Sequence, residues 1–240
     1  MDKRVVMAIE YLQSNITNFE NSMGKLEDGL QSNSIAKTSI SSNEITSSSD
    51  YIVAFSGRTQ SYCVGLVDIV NSTKIIVGLG INSAKYHKIF LNSMAKILNR
   101  FGGFVVKNIG DSLLFYFPAS SKGKKYGFMS CLEGCLKMVD MHDYLCTCAK
   151  NEGLPCINYR ISCDYGLVIM MKSNENSVDM LGPPLNMCAK INHFAQKNGF
   201  VIGADLYEMV KKMDDYNFTS VQSYRSDQKF QYPVYAVTRR

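Results

Sequence analysis

The chain has 240 residues, of which 46% are hydrophobic, with a formal net charge of +5 and eight cysteines. That is room for one domain of ordinary size plus an extension, with enough apolar material for a sizeable core. Lys and Arg are scattered and form no basic stripe with interleaved aromatics, so an anionic small molecule fits better as a partner than nucleic acid.

From the N-terminus, Val5, Ile9, Leu12, Ile16, Phe19, Met23, Leu26 and Leu30 alternate spacings of four and three. This is the a/d pattern of a coiled coil, with Ile and Met at a and Leu and Phe at d, and it predicts a pairing helix over residues 1–31. One amphipathic helix packed on its own domain fits the same periodicity. Residues 32–50 carry eight Ser and two Thr in nineteen positions, and 32–58 reads as a flexible linker. Residues 59–240 form the main domain.

From Tyr62 the pattern is α/β, with a strand running to Asp68. A helix over 83–100 follows, with Phe90, Met94, Ile97, Leu98 and Phe101 on one stripe and Gly102-Gly103 to stop it. A hairpin is predicted over 104–107 and 112–117, one helix over 126–150 and a strand over 157–170. A helix over 185–196, a strand at 200–202, a short helix over 204–212 and strands near 219–224 and 233–237 complete the chain. The expected fold is α+β, a ferredoxin-like βαββαβ core with an added C-terminal strand pair.

No apolar run reaches membrane-spanning length and no secretory leader is visible, so the expectation is a cytoplasmic protein without a membrane span. Neither Cys131-x-x-x-Cys135 nor Cys146-x-Cys148 has a second half at zinc-site spacing, which predicts reduced thiols. His87, His142 and His193 stand at no useful mutual spacing and read as surface or packing residues.

Two lone acids stand out. Asp68 ends an apolar strand, and Asp111 opens the apolar run 112–117 directly after Gly110. In a βαββ unit with right-handed crossover, the third strand inserts antiparallel beside the first, and both carboxylates meet at one sheet edge. Carboxylates so placed repel unless they share a cation, and hard oxygen ligands favour Mg or Mn.

Four ordered segments resemble the class III nucleotidyl cyclase catalytic domain: LVDIVNST (66–73), VVKNIGDSLLFYF (105–117), YRISCDYGLVI (159–169) and 178–207. The resemblance covers about residues 60–238. It implies two Mg2+ or Mn2+ ions per active site, held by Asp68, Asp111 and the Ile69 carbonyl. Asn71, Ser72 and Thr73 would offer backbone N–H groups to a triphosphate, although the family commonly has Gly where Asn71 stands. Lys107 and Asp179 fall at the base-reading positions, where an ammonium can donate to adenine N1 and a carboxylate can accept from the adenine amino group. Asn186, seven residues past Asp179, matches the ribose-orienting Asn. Lys190 stands where the family has an Arg that stabilises charge at the reacting phosphate, and it lacks the planar fork. Lys229 matches a phosphate-binding Lys, and Leu167 replaces an Arg found in some members. In the family the metal residues come from one subunit and the base, ribose and phosphate residues from its partner, which implies a head-to-tail homodimer acting on ATP. The expected activity is an adenylate cyclase. A non-catalytic nucleotide-binding or dimerisation module and a guanylate cyclase are the alternatives.

Overall fold

Alternation along the first strand decides how this molecule is layered. The computed structural model describes residues 54–172, 178–225 and 231–240. The heptad segment, the Ser/Thr-rich stretch up to residue 53, and Lys229 lie outside the described residues. In chain order the elements are β1 (Ala54–Ile69), α1 (Ser72–Leu79), α2 (Ser83–Arg100), β2 (Phe104–Ile109), β3 (Ser112–Phe117), α3 (Lys125–Asp140), α4 (His142–Asn151), β4 (Tyr159–Lys172), β5 (Val178–Leu181), α5 (Pro183–Ile191), β6 (Phe200–Gly203), α6 (Ala204–Val210), β7 (Tyr216–Arg225) and β8 (Gln231–Arg239). The strands form one sheet in the order β2-β3-β1-β4-β6-β8-β7, and β5 pairs with β4 off this path. The first four strands stand in the order 2-3-1-4 of a ferredoxin-like core, and β3 lies antiparallel beside β1 as expected.

Successive side chains of a strand point to opposite faces, so each face needs its own cover. Cys63, Val67 and Ile69 of β1, Leu113, Phe115 and Phe117 of β3, and Tyr159, Ile161 and Cys163 of β4 share the main core with α2 and α3. The other set, Val64, Leu114 and Val168, packs with Met180 of β5 and with Leu185 of α5. α2 presents Tyr86, Phe90, Met94 and Leu98 at four-residue spacing, all fully buried. It ends where Gly103 N–H returns to the Leu98 carbonyl at 2.8 Å. Among the described residues no helix is long and apolar enough to cross a membrane.

The helix predicted over 126–150 is two helices, α3 and α4, separated at Met141 (φ −82°, ψ 0°). Neither glycine nor proline stands between Lys137 and Leu145 to mark the break. β5 has no counterpart among the predicted strands, and its ladder is with β4, from Ile169↔Leu181 to Lys172↔Val178. The thiols also differ from expectation. Cys146 of α4 and Cys156, in the segment leading to β4, are joined in a disulfide. Cys131, Cys135, Cys163 and Cys188 are free and buried, and burial pushes their thiols well above the ordinary range, so they remain protonated.

Candidate active site

β1 and β3 pair from Cys63↔Phe117 to Val67↔Leu113, so the next step of the ladder sets Asp68 opposite Ser112. Ile109 pairs with Ser112, leaving Gly110-Asp111 as a two-residue turn. Gly110 adopts φ +63°, a conformation glycine takes without steric cost. Strand register and turn type together thus carry Asp111 to the end of β1. The Ser112 hydroxyl donates to Asp68 Oδ1. Asp111 Oδ2 is buried and has no hydrogen-bond partner among the described residues. Burial, followed by the neighbouring Asp111 carboxyl, raises the Asp68 carboxyl above its ordinary range, and the Ser112 hydrogen bond and Arg160 offset this in part. Arg160 faces Asp68 across the β1–β4 pair, and its Nε is buried without a partner too. An orphaned carboxylate oxygen beside a second, destabilised carboxyl is a donor set that fits a hard divalent cation.

Ile69 closes β1, and Val70 N–H is held by the Asn158 carbonyl at 2.8 Å. Asn71 then turns the chain into α1 with φ 58° and ψ 32°. Asn is among the few non-glycine residues that tolerate this left-handed region, which explains why it can stand in a glycine's place. Ser72 and Thr73 form the first turn of α1.

The two expected base-reading residues meet. Lys107 Nζ lies 2.5 Å from Asp179 Oδ2, although 72 residues separate them. β5 delivers Asp179 opposite Met171 of β4, and the Met180 N–H at 2.8 Å from Asp179 Oδ1 fixes the carboxylate. Both side chains are partly exposed, 44% for Lys107 and 25% for Asp179, so the pair is accessible to a ligand. One element further, Asn186 and Lys190 line an open cleft of about 380 Å³ together with Leu181, Gly182, Pro183 and Met187. Lys190 Nζ sits 5.1 Å from the ring centroid of Tyr224 on β7, a cation–π contact.

The structure therefore brings Asp68 to Asp111, Lys107 to Asp179, and Asn186 to Lys190. Among the described residues no hydrogen bond or ion pair joins the acid pair to the other two groups. Ser112 and Arg160 escape a reading of the sequence alone. The signal for both is pairing register, which becomes readable only once Asp68 is placed opposite each.

No family model and no curated protein matches the sequence. Solved structures do match its fold. The adenylyl cyclase CyaB from P. aeruginosa is 16% identical with a TM-score of 0.68, over 76% of this chain and 96% of that one. The guanylate cyclase domain of RhGC from Catenaria anguillulae, in complex with GTP, is 19% identical with a TM-score of 0.62, over 77% and 100%. The catalytic core of a rhodopsin-guanylyl cyclase with converted specificity, in complex with ATPαS, is 20% identical with a TM-score of 0.61, over 76% and 98%. Strand order, acid pair and these neighbours lead to one statement: the described chain has the fold of the class III adenylyl and guanylyl cyclase catalytic domains.

Proposed function

We propose that the protein is an adenylate cyclase that converts ATP to 3′,5′-cyclic AMP and pyrophosphate at the interface of a head-to-tail homodimer. The observation that carries the reading is the acid pair, Asp68 with Asp111, whose buried Oδ2 has no partner among the described residues. A protein that only bound nucleotide would have little reason to hold two carboxyls against one another. Two divalent cations bound at Asp68, Asp111 and the Ile69 carbonyl would supply charge neutralisation for the phosphates and acidity for the ribose 3′-hydroxyl.

The chain's own residues do the positioning. Lys107 and Asp179 present a donor beside an acceptor, which matches adenine N1 and its amino group; guanine offers N1–H and O6 on that edge, and both contacts fail. Unpaired buried polar groups make such rejection strong. Asn186 orients the ribose, and Lys190 meets developing charge at the reacting phosphate. The acid pair and the base pair are separate groups within one chain, which favours a site completed by a second copy. Lys229 and the N-terminal heptads belong to this proposal as a phosphate contact and a pairing device that raises local partner concentration.

One observation favours a second reading, a weak or inactive nucleotide-binding module: the Lys190 ammonium already rests over the Tyr224 ring, a contact it would have to give up to meet a phosphate. Purified protein incubated with ATP or GTP, each with Mg or Mn, separates the readings by product identification. Cyclic AMP from ATP in excess over cyclic GTP from GTP is the expected result. Nucleotide binding without either cyclic product would establish the second reading instead.

A further inference from the structure

Cys146, Cys156 and His142 converge outside the candidate active site. The two sulfurs are bonded to each other, and His142 Nε2 lies 3.3 Å from Cys146 Sγ and 3.6 Å from Cys156 Sγ. His142 Nδ1 lies 3.1 Å from Asp143 Oδ1, and this carboxylate favours the tautomer with its hydrogen on Nδ1, in which Nε2 turns its lone pair to the sulfurs. The ring also packs edge-tilted on Tyr159, with centroids 6.0 Å apart, which holds its orientation. A structural disulfide in a core has no use for a basic nitrogen beside both sulfurs, whereas a dithiol that opens and closes has. The thiolate is the attacking species in thiol–disulfide exchange, and an adjacent imidazole takes up the proton it must lose.

We propose that Cys146, Cys156 and His142 form a thiol–disulfide exchange site that reacts with low-molecular-weight disulfides and braces the turn that follows Asp68. Cys156 is the more exposed thiol, since Cys146 is 6% exposed, and Cys156 therefore attacks first. Its proton passes to His142 Nε2, its sulfur bonds to one sulfur of the small disulfide, and the other half leaves as a thiolate. The Cys146 thiolate then attacks the Cys156 sulfur and expels the second half. Two protein thiols are oxidised to one disulfide, the small disulfide is reduced to two thiols, and the two protein protons end on those thiols. The cross-link bears on the candidate active site through a short path. Cys156 lies two residues before Asn158, whose carbonyl holds Val70 N–H at 2.8 Å, and Val70 lies two residues after Asp68. The Cys156 carbonyl is itself held by the Tyr86 hydroxyl of α2 at 3.4 Å.

The test uses the full chain equilibrated at fixed ratios of reduced to oxidised glutathione, then acid-quenched, alkylated and weighed intact, and it reads no cyclase activity. The expected result is a pair that opens and closes reversibly with the ratio, mapping to the peptides with Cys146 and Cys156, while the buried free thiols stay unchanged. His142→Asn should slow the approach to equilibrium by at least tenfold. In the reduced protein the Val70 amide should exchange hydrogen faster than in the oxidised one. Thiols that remain open, or a disulfide that remains closed, at every ratio would overturn the proposal. So would one zinc ion retained per reduced chain and lost in Cys156→Ser, because the three groups would then be a metal centre.

Discussion

Asp111 Oδ2, buried beside the Asp68 carboxyl and without a hydrogen-bond partner among the described residues, would on the proposed function set activity against stability at a single atom. Asp111→Asn removes one of two repelling charges. Its urea midpoint should equal or exceed that of the wild type, while cyclic nucleotide formation falls by roughly a hundredfold or more. An active Asp111→Asn protein would remove the acid pair from the chemistry. The Lys107–Asp179 ion pair is partly in solvent and is worth about 1 kcal/mol at most, so the base proposed to bind there would displace it readily. Replacing both, Lys107→Glu with Asp179→Cys, should shift the ratio of specificity constants from ATP toward GTP by tenfold or more, at ~1–3 kcal/mol per mispaired buried group. An unchanged ratio would mean that the base is read elsewhere. Asp164 gives a pH-dependent stability. Burial pushes its carboxyl up to about 6, despite hydrogen bonds from the Tyr232 hydroxyl and from the Tyr165 and Leu206 N–H groups. The folded state thus holds this proton more tightly than the unfolded state, whose value is near 3.8. The resulting penalty of about 2–3 kcal/mol is present in full above the folded value and disappears as pH falls from about 6 toward 4. Urea unfolding of wild type and Asp164→Asn across that window should show the variant lacking this gain on acidification.

Elements with a strong period are legible in the amino-acid sequence alone. α2 falls on the predicted span because four large residues recur on one face, and the β2–β3 hairpin is legible, with β2 running two residues further than predicted, because a glycine-containing turn separates two apolar runs. What is not legible depends on partners far away in sequence. β5 is four residues long and exists by pairing with β4, the α3–α4 break has no local marker, and Cys156 meets Cys146 only because α4 returns the chain toward β4. In the candidate site, the carboxylates and the Lys107–Asp179 pair are readable from their motifs. Ser112 and Arg160 are not, since their relevance is a matter of register. Close approach between elements is testable at Gly65 on β1. A Cβ there would lie 2.3 Å from Phe115 Cζ and 2.6 Å from Cys163 Sγ, so the Phe115 ring and the Cys163 side chain on the two neighbouring strands would have to shift. Gly65→Ala should lower stability by about 1–3 kcal/mol through overpacking, measured by urea unfolding. A variant as stable as wild type would show that Phe115 and Cys163 repack at little cost.

A site assembled from two chains has a signature that no single chain shows. Asp68→Ala and Asn186→Ala, each inactive alone, should recover activity when their subunits are exchanged, because every mixed dimer contains one site with all wild-type residues. Random exchange makes half of the dimers mixed, so about a quarter of wild-type activity should return. No recovery despite demonstrated exchange would place the whole site within one subunit. The sheet order also constrains how such a molecule comes into being. β1 pairs with β4 along its length, from Ala54↔Lys172 to Ile69↔Tyr159, and β8 lies between β6 and β7. Pairing between strands so distant in sequence belongs to the class of slow folders, on the order of milliseconds to seconds. During synthesis on the ribosome, one edge of β1 has no strand to meet until the intervening helices and β4 have emerged. The sheet closes at its far end only when β8 slots in between two strands made before it. An unpaired strand edge is a template for association with other chains. The hazard for this protein therefore falls in the interval between making β1 and making β4, when the growing chain has to be kept apart from its neighbours.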